Sequence, residues 1–169
     1  VEGAALLPKH LRDQIIILIA GVPPSEDQVS KVEQLGMMDH VIFVGLLDDV
    51  RPFIATLDVG FVLSSEVETI SFACREMMAA GVPVIVSEVG GLTENVTDGR
   101  DGWVVPPADV PSVVQALSRI LANRQQLARM GEEARSTALK EFSLTAFVGK
   151  TESVYREGRT QQAYRLRPS

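Results

Sequence analysis

Apolar residues along this chain fall in short runs that alternate with stretches of helical period. Residues 14–20 (QIIILIA) are β-branched and almost unbroken, which predicts a strand covered on both faces. Gly21, Pro23 and Pro24 end that run, and Ser25 is placed to cap a helix through about residue 35, stopped by Gly36. Residues 40–44 (HVIFV) predict a second strand, and Asp48 or Asp49 then opens a short helix to about residue 56. Residues 58–63 (DVGFVL) predict a third strand and residues 70–80 a helix, stopped by Gly81 and Pro83. Residues 83–87 (PVIVS) make a fourth strand. Gly90 and Gly91 precede a short helix ending near Thr97, and Asp98-Gly99 and Asp101-Gly102 are turn signals. Residues 103–105, with Trp103, form a last core strand. Helices follow from Asp109 to about residue 123, from about residue 124 to 141, and from Ser143 to about residue 158. Residues 1–12 read as the tail of a helix, and residues 159–169 as a polar, frayed tail.

Strand and helix alternating at this spacing imply βαβ units, hence an α/β fold with a parallel sheet and helices on both faces. Right-handed crossovers make it Rossmann-like. Such sheets bind ligands outside the carboxyl ends of their strands, so the segments after Ala20, Val44 and Leu63 are expected to line the site.

Composition narrows the chemistry. The 169 residues carry 16 Lys and Arg against 22 Asp and Glu, a net charge of -6 that disfavours nucleic acid and anionic membrane as partners. One cysteine, Cys74, allows no internal disulfide, and a buried apolar role is expected for it. His10 and His40 lack metal-ligand spacing, so no metal is expected. No apolar run is long enough to span a bilayer. A start at Val1 rather than Met is expected of a piece of a longer polypeptide.

One segment concentrates polar chemistry. Glu68 falls on the loop after the third strand, the helix N-terminus follows at residues 70–72, and Glu76 comes about two turns later. Unpaired N–H donors and the partial positive charge of a helix N-terminus suit a diphosphate. Eight helical residues span roughly 12 Å, the reach from a ribose across two phosphates to a sugar. A carboxylate at each end would accept hydrogen bonds from sugar hydroxyls. By spacing alone the pair means little, since Glu76 can be a solvated helix residue and Glu68 a capping one. Glu76, however, stands among Phe72, Ala73, Met77, Ala79 and Ala80, where a charge near a buried face calls for a partner.

The ordered set around these residues is more specific. Ser65-x-x-Glu68 is followed by Glu76-Met77-Met78-Ala79-Ala80-Gly81-Val82-Pro83-Val84-Ile85. Val89-Gly90-Gly91-x-x-Glu94, Asp98-Gly99-x-x-Gly102 and Pro106-Pro107 come next. Upstream stand Ile19-Ala20-Gly21-Val22-Pro23 and Val41-Ile42-Phe43-Val44-Gly45. Over roughly residues 14–157 the chain resembles glycosyltransferase family 4, retaining enzymes of the GT-B fold with an E-x7-E signature. The resemblance implies that residues 1–158 are the C-terminal, donor-binding domain of such an enzyme, truncated at its N-terminal edge. Glu76 would hold the ribose hydroxyls, and Glu68 would sit at the donor sugar in the catalytic position. Backbone N–H groups of Ile70, Ser71 and Phe72 would meet the diphosphate or sugar. Val44, Gly45 and Leu46 would contact the base, Gly21 would allow close approach of the donor, and Gly90 and Gly91 would shape the pocket rim. Glu94 ranks lower, with a helix-end or hydrogen-bonding role as good.

The implied partners are a nucleotide-diphosphate sugar as donor and an N-terminal acceptor-binding domain of the same polypeptide. No cofactor is obligatory, this domain is expected to touch neither membrane nor nucleic acid, and the location is cytoplasmic, peripheral to a membrane only through the other domain. Alone, the chain is expected to be inactive. Ser64 stands where the family often has proline, Thr69 and Ser71 where glycines are common, and Arg75 where an apolar residue is usual. Arg75 is expected to face solvent or a partner domain. The basic pair that clamps the diphosphate in the family has no counterpart before Ile15; Lys9 and Arg12 read as surface charges. Two rival readings remain: a nucleotide-sugar 2-epimerase of the same fold, and a non-catalytic Rossmann-like nucleotide-binding module.

Overall fold

The computed structural model describes the backbone of residues 1–165 and side chains through residue 157. Two short helices, α1 (Glu2–Ala5) and α2 (Lys9–Arg12), open the chain. Pro8 separates them as the N-cap of α2, so the single helix tail expected over residues 1–12 is broken. Then follow β1 (Ile17–Ala20), α3 (Glu26–Gln34), β2 (Val41–Gly45), α4 (Arg51–Ile54), β3 (Gly60–Val62), α5 (Phe72–Ala79) and β4 (Val84–Ser87). A 3-10 turn (Gly90–Glu94) leads to β5 (Gly102–Val105), α6 (Val110–Ala122), α7 (Gln126–Glu141) and α8 (Leu144–Arg165). Ser25 does cap α3: its hydroxyl accepts from Gln28 N–H, and the Gln28 side chain accepts from Ser25 N–H, a reciprocal box. Ser143 accepts from Ala146 N–H at the start of α8. That helix continues to Arg165, past the expected end near residue 158; residues 166–169 of the expected tail lie outside the described residues.

All named strand pairs are parallel, but they form two sheets rather than one. β1 pairs with β2, Ile17 opposite Val41, and β3–β4–β5 pair in that order, with Val84 opposite both Gly60 and Gly102. β1 and β3, the inner edges, are not hydrogen-bonded to each other.

Around β4 the packing is what an α/β fold requires. Val84 and Val86 point to one face, into a core with Cys74, Met77 and Met78 of α5 and Ala134 and Ala138 of α7. Ile85 points to the other, against Trp103, Ala116 and Ile120. Every residue of β4 is buried. β1 differs: its apolar run is only half-buried, contrary to the cover expected on both faces. Ile17 and Ile19 pack toward Ala4, Val32, Met37 and Val41, whereas Ile16 is exposed.

Candidate functional site

The chain leaves β3 into a loop that the neighbouring strand holds in place. Ser87 at the end of β4 donates its hydroxyl to the Ser64 carbonyl at 2.6 Å. Ser64 in turn donates to one Glu68 carboxylate oxygen at 3.2 Å, and the other accepts from Thr69 N–H at 3.2 Å. Gly91 N–H donates to the Glu68 carbonyl at 3.1 Å. A Cβ at Gly90 would collide with the Glu68 carbonyl oxygen, and one at Gly91 with that of Thr69. The two glycines thus let the 3-10 turn press on the backbone behind Glu68, so their contacts lie behind this loop.

Ser71 is the N-cap of α5 and holds a left-handed backbone, φ 48 and ψ 89, while its hydroxyl accepts from Cys74 N–H at 3.3 Å. It adopts the conformation that glycine takes most easily. The N–H groups of Ile70, Ser71, Phe72 and Ala73 have no acceptor among the described residues. Four consecutive free donors at the start of an eight-residue helix form a ready anion cradle. Beneath it lies Asn95, 1% exposed. Its amide donates to the carbonyls of Ile70 (3.0 Å) and Gly91 (3.3 Å), and its oxygen accepts from Arg75 Nε at 2.9 Å. The Arg75 guanidinium stacks 4.2 Å from the Phe142 ring centre. Arg75 is therefore folded into a network and does not face solvent or a partner as expected.

Glu76 follows on the same helix. It is exposed, and its carboxylate has no hydrogen-bond or ion-pair partner among the described residues. The expectation of a partnered charge near a buried face is corrected: Cys74, Met77 and Met78 form the inner stripe, and Glu76 lies off it. Its carboxylate is free to accept bonds from a ligand. It lines a cavity of about 740 Å³ that also touches all of β1, Asp58 and Arg124. Cys74 is fully buried, and burial pushes its thiol up to about 12, so it is no nucleophile.

Gly21 and Gly45 meet at the carboxyl ends of β1 and β2, where Gly21 N–H donates to the Gly45 carbonyl at 2.9 Å. Both have positive φ, 137 and 82, and a Cβ on either would meet nothing, so the constraint there is backbone conformation. Val44 and Leu46 beside them are exposed. No hydrogen bond among the described residues joins this pair to the Glu68–Ser71 loop. The structure therefore gathers Glu68, Ile70, Ser71, Phe72, Gly90 and Gly91 in one cluster and Gly21, Val44, Gly45 and Leu46 in another. No group of three metal-ligating side chains occurs among the described residues.

Residues 1–137 match the family model described as glycosyl transferases group 1. The chain belongs to that family. An α-D-kanosaminyltransferase of Streptomyces kanamyceticus is 28% identical over 93% of this chain and 41% of its own length. The lipopolysaccharide core biosynthesis glycosyltransferase LpsE of Rhizobium meliloti is 31% identical over 86% of this chain and 42% of its own. The chain thus spans about two-fifths of these relatives. Among solved structures, sucrose-phosphate synthase of Thermosynechococcus elongatus aligns with TM-score 0.75 and 27% identity, over 95% of this chain and 42% of that one. Anabaena HepE in complex with UDP-glucose aligns with TM-score 0.78 and 22% identity, over 92% and 43%. The α/β fold expected for half of a GT-B enzyme is the fold this group 1 glycosyltransferase chain has.

Sequence reasoning missed two buried polar residues of this group 1 glycosyltransferase chain. Glu94 drew notice, yet it is exposed and its neighbour Asn95 is the buried one. The signal was there: Leu92, Asn95 and Val96 share the inner side of the turn, so the asparagine stood at an apolar position. Asp101, read only as a turn residue, is fully buried and accepts from Thr97 N–H (2.6 Å), Arg100 (2.8 Å) and Thr137 of α7 (2.8 Å). Arg12 is partly buried too, donating to the Ala5 carbonyl at 3.3 Å, and so is not the plain surface charge expected. Lys9 is exposed and pairs with Asp13.

Proposed function

We propose that this chain is the donor-binding half of a retaining glycosyltransferase of family 4, which moves a sugar from a nucleotide diphosphate to an acceptor hydroxyl. The observation that carries the reading is the row of four free N–H groups at Ile70–Ala73, flanked by the Glu68 and Glu76 carboxylates. The diphosphate would take the N–H groups, the ribose hydroxyls would donate to Glu76, and the donor sugar hydroxyls would donate to Glu68. Ser64 and Thr69 hold Glu68 in one orientation, so it is set before the sugar arrives. The developing negative charge on the leaving diphosphate would be stabilised by fixed dipoles rather than by a nucleophile. The base would lie by Val44, Gly45 and Leu46, beside the Gly21 turn. Solved relatives named as complexes with UDP and with UDP-glucose, and a mannosyltransferase relative named as GDP-mannose-dependent, support a nucleotide-sugar donor.

Melting temperature measured against UDP, GDP, ADP and their sugar conjugates tests this. At about 100 times its Kd a cognate ligand stabilises by roughly 2.7 kcal/mol, or about 5–11 °C at this chain length. The expected outcome is a shift with one nucleotide that is lost in Glu76→Ala. No shift with any of them, in this chain and in the longer polypeptide, would sink the reading.

A further inference from the structure

Leu92, Asn95 and Val96 are all buried at the 3-10 turn, and an asparagine 1% exposed among apolar neighbours is costly unless its polar atoms are matched. Asn95 closes that turn as its C-cap, so the backbone fixes where its side chain starts. Its amide is matched atom for atom. Two Nδ2 hydrogens meet two carbonyls, of Ile70 and Gly91, and Oδ1 meets Arg75 Nε. A guanidinium only donates, so Arg75 fixes which way round the amide sits. A flipped amide would set its oxygen against both carbonyls and its N–H groups against the guanidinium. The Phe142 ring, at the end of α7, stacks on that guanidinium and holds it in place.

We infer that Asn95, with Arg75 behind it, is a positioning residue for the proposed donor site: it aims the Ser71 N–H of the cradle outward and sets the peptide behind Glu68. The inference rests on the donor-site reading above. A trans peptide points its C=O and its N–H in opposite directions, and no cis peptide occurs among the described residues. Asn95 draws the Ile70 carbonyl inward, so the Ser71 N–H of the same plane faces away from the interior, where it has no protein acceptor. The same bond braces Ser71, at φ 48, against relaxing to an ordinary negative φ. The second bond acts on Glu68. Asn95 holds the Gly91 carbonyl, and Gly91 N–H draws in the Glu68 carbonyl at 3.1 Å. The plane shared by Glu68 and Thr69 then sends the Thr69 N–H the other way, to the Glu68 carboxylate. One buried amide thus orients a phosphate donor and the carboxylate meant for the sugar. Asn95 is too buried to touch the ligand itself, and its effect passes through the backbone.

Calorimetric titration of UDP, GDP and inorganic pyrophosphate into the wild-type chain and three variants tests this, beside melting curves. Asn95→Leu removes both bonds to the carbonyls and strands Arg75 Nε, so a lower Tm and weaker binding are both expected. Arg75→Leu/Asn95→Leu replaces the pair by apolar side chains, and its Tm is expected to recover part of that loss. Its Kd for whichever probe the wild type binds is expected to stay at least about tenfold above the wild-type value. Affinity that returns with the Tm means a structural role alone and overturns the inference. Arg75→Met keeps both carbonyl bonds but frees the amide to turn, and is expected to raise the Kd about threefold or more. It carries the test if neither variant at position 95 folds, and there an unchanged Kd overturns the inference. In NMR spectra of the ligand-free chain, the Ser71 carbon shifts are expected to lose their positive-φ signature in Asn95→Leu. A folded variant that keeps both that signature and the wild-type Kd overturns the inference and leaves the donor site standing. A wild type that binds none of the three probes removes the donor site, and this inference with it.

Discussion

Among the described residues, Ser71 and Ala108 are the two non-glycine residues that hold a positive φ, 48 and 55. Ser71 gains something in exchange, because its hydroxyl caps α5. Ala108 has no such side chain, and the left-handed backbone costs an alanine about 1 kcal/mol or more. Ala108→Gly is therefore expected to raise the Tm by about 2–4 °C, read in a thermal melt. Cys74 gives a pH signature. Burial raises its folded thiol from 9.0 to about 12, so the native state holds the proton more tightly than the unfolded chain. This contribution is fully present below pH 9 and is lost as pH rises toward 12, at no more than about 1.4 kcal/mol per pH unit. Cys74→Ala is expected to flatten that part of a stability–pH curve from denaturant titration. The placement of Glu68 on the loop after β3 and of Glu76 on α5 was legible from the sequence, but the surroundings of Glu76 were misjudged. At about 100° per residue, Glu76 lies some 200° round the helix from Cys74, which the apolar letters around it concealed.

Caps and breakers made most elements readable. Ser25 and Ser143 begin α3 and α8 as their hydroxyls demand, and Gly36 and Gly81 take positive φ where their helices stop. What failed at this scale was cover. The run at residues 14–20 announces a strand, but how much of it is buried depends on what lies beside it, which periodicity does not encode. The polar ties between elements were likewise illegible, since a buried carboxylate and a turn aspartate look alike in sequence. Asp101 joins the 97–101 turn to α7 through Thr137. Asp101→Ala leaves those donors without an acceptor and is expected to cost about 3 kcal/mol, seen as a Tm lower by roughly 6–12 °C.

For the whole molecule, alternation of strand and helix was enough to announce a parallel α/β fold, and the ordered motifs were enough to point to its family. The division into two sheets was not, because pairing partners are chosen in space. No described helix is long and apolar enough to cross a membrane. The two candidate clusters stand on different sheets, unconnected by hydrogen bonds among the described residues. A donor held by one cluster alone would lack the fixed geometry that transfer needs. On the proposed reading, the 169-residue chain is accordingly expected to show no sugar transfer in a radiolabelled-donor assay with a panel of sugar acceptors; measurable turnover would contradict this.

The fit of Gly90 and Gly91 against the carbonyls of Glu68 and Thr69 reaches further than the site. A saturation library sorted only for soluble expression would tolerate many side chains at position 68, which is half-exposed on its loop. The same sort would discard almost everything but glycine at 90 and 91. On the proposed reading, tolerance in such a screen would thus run opposite to chemical importance: the residue bearing the proposed functional carboxylate would be free to drift, and the two that bear no side chain at all would be fixed.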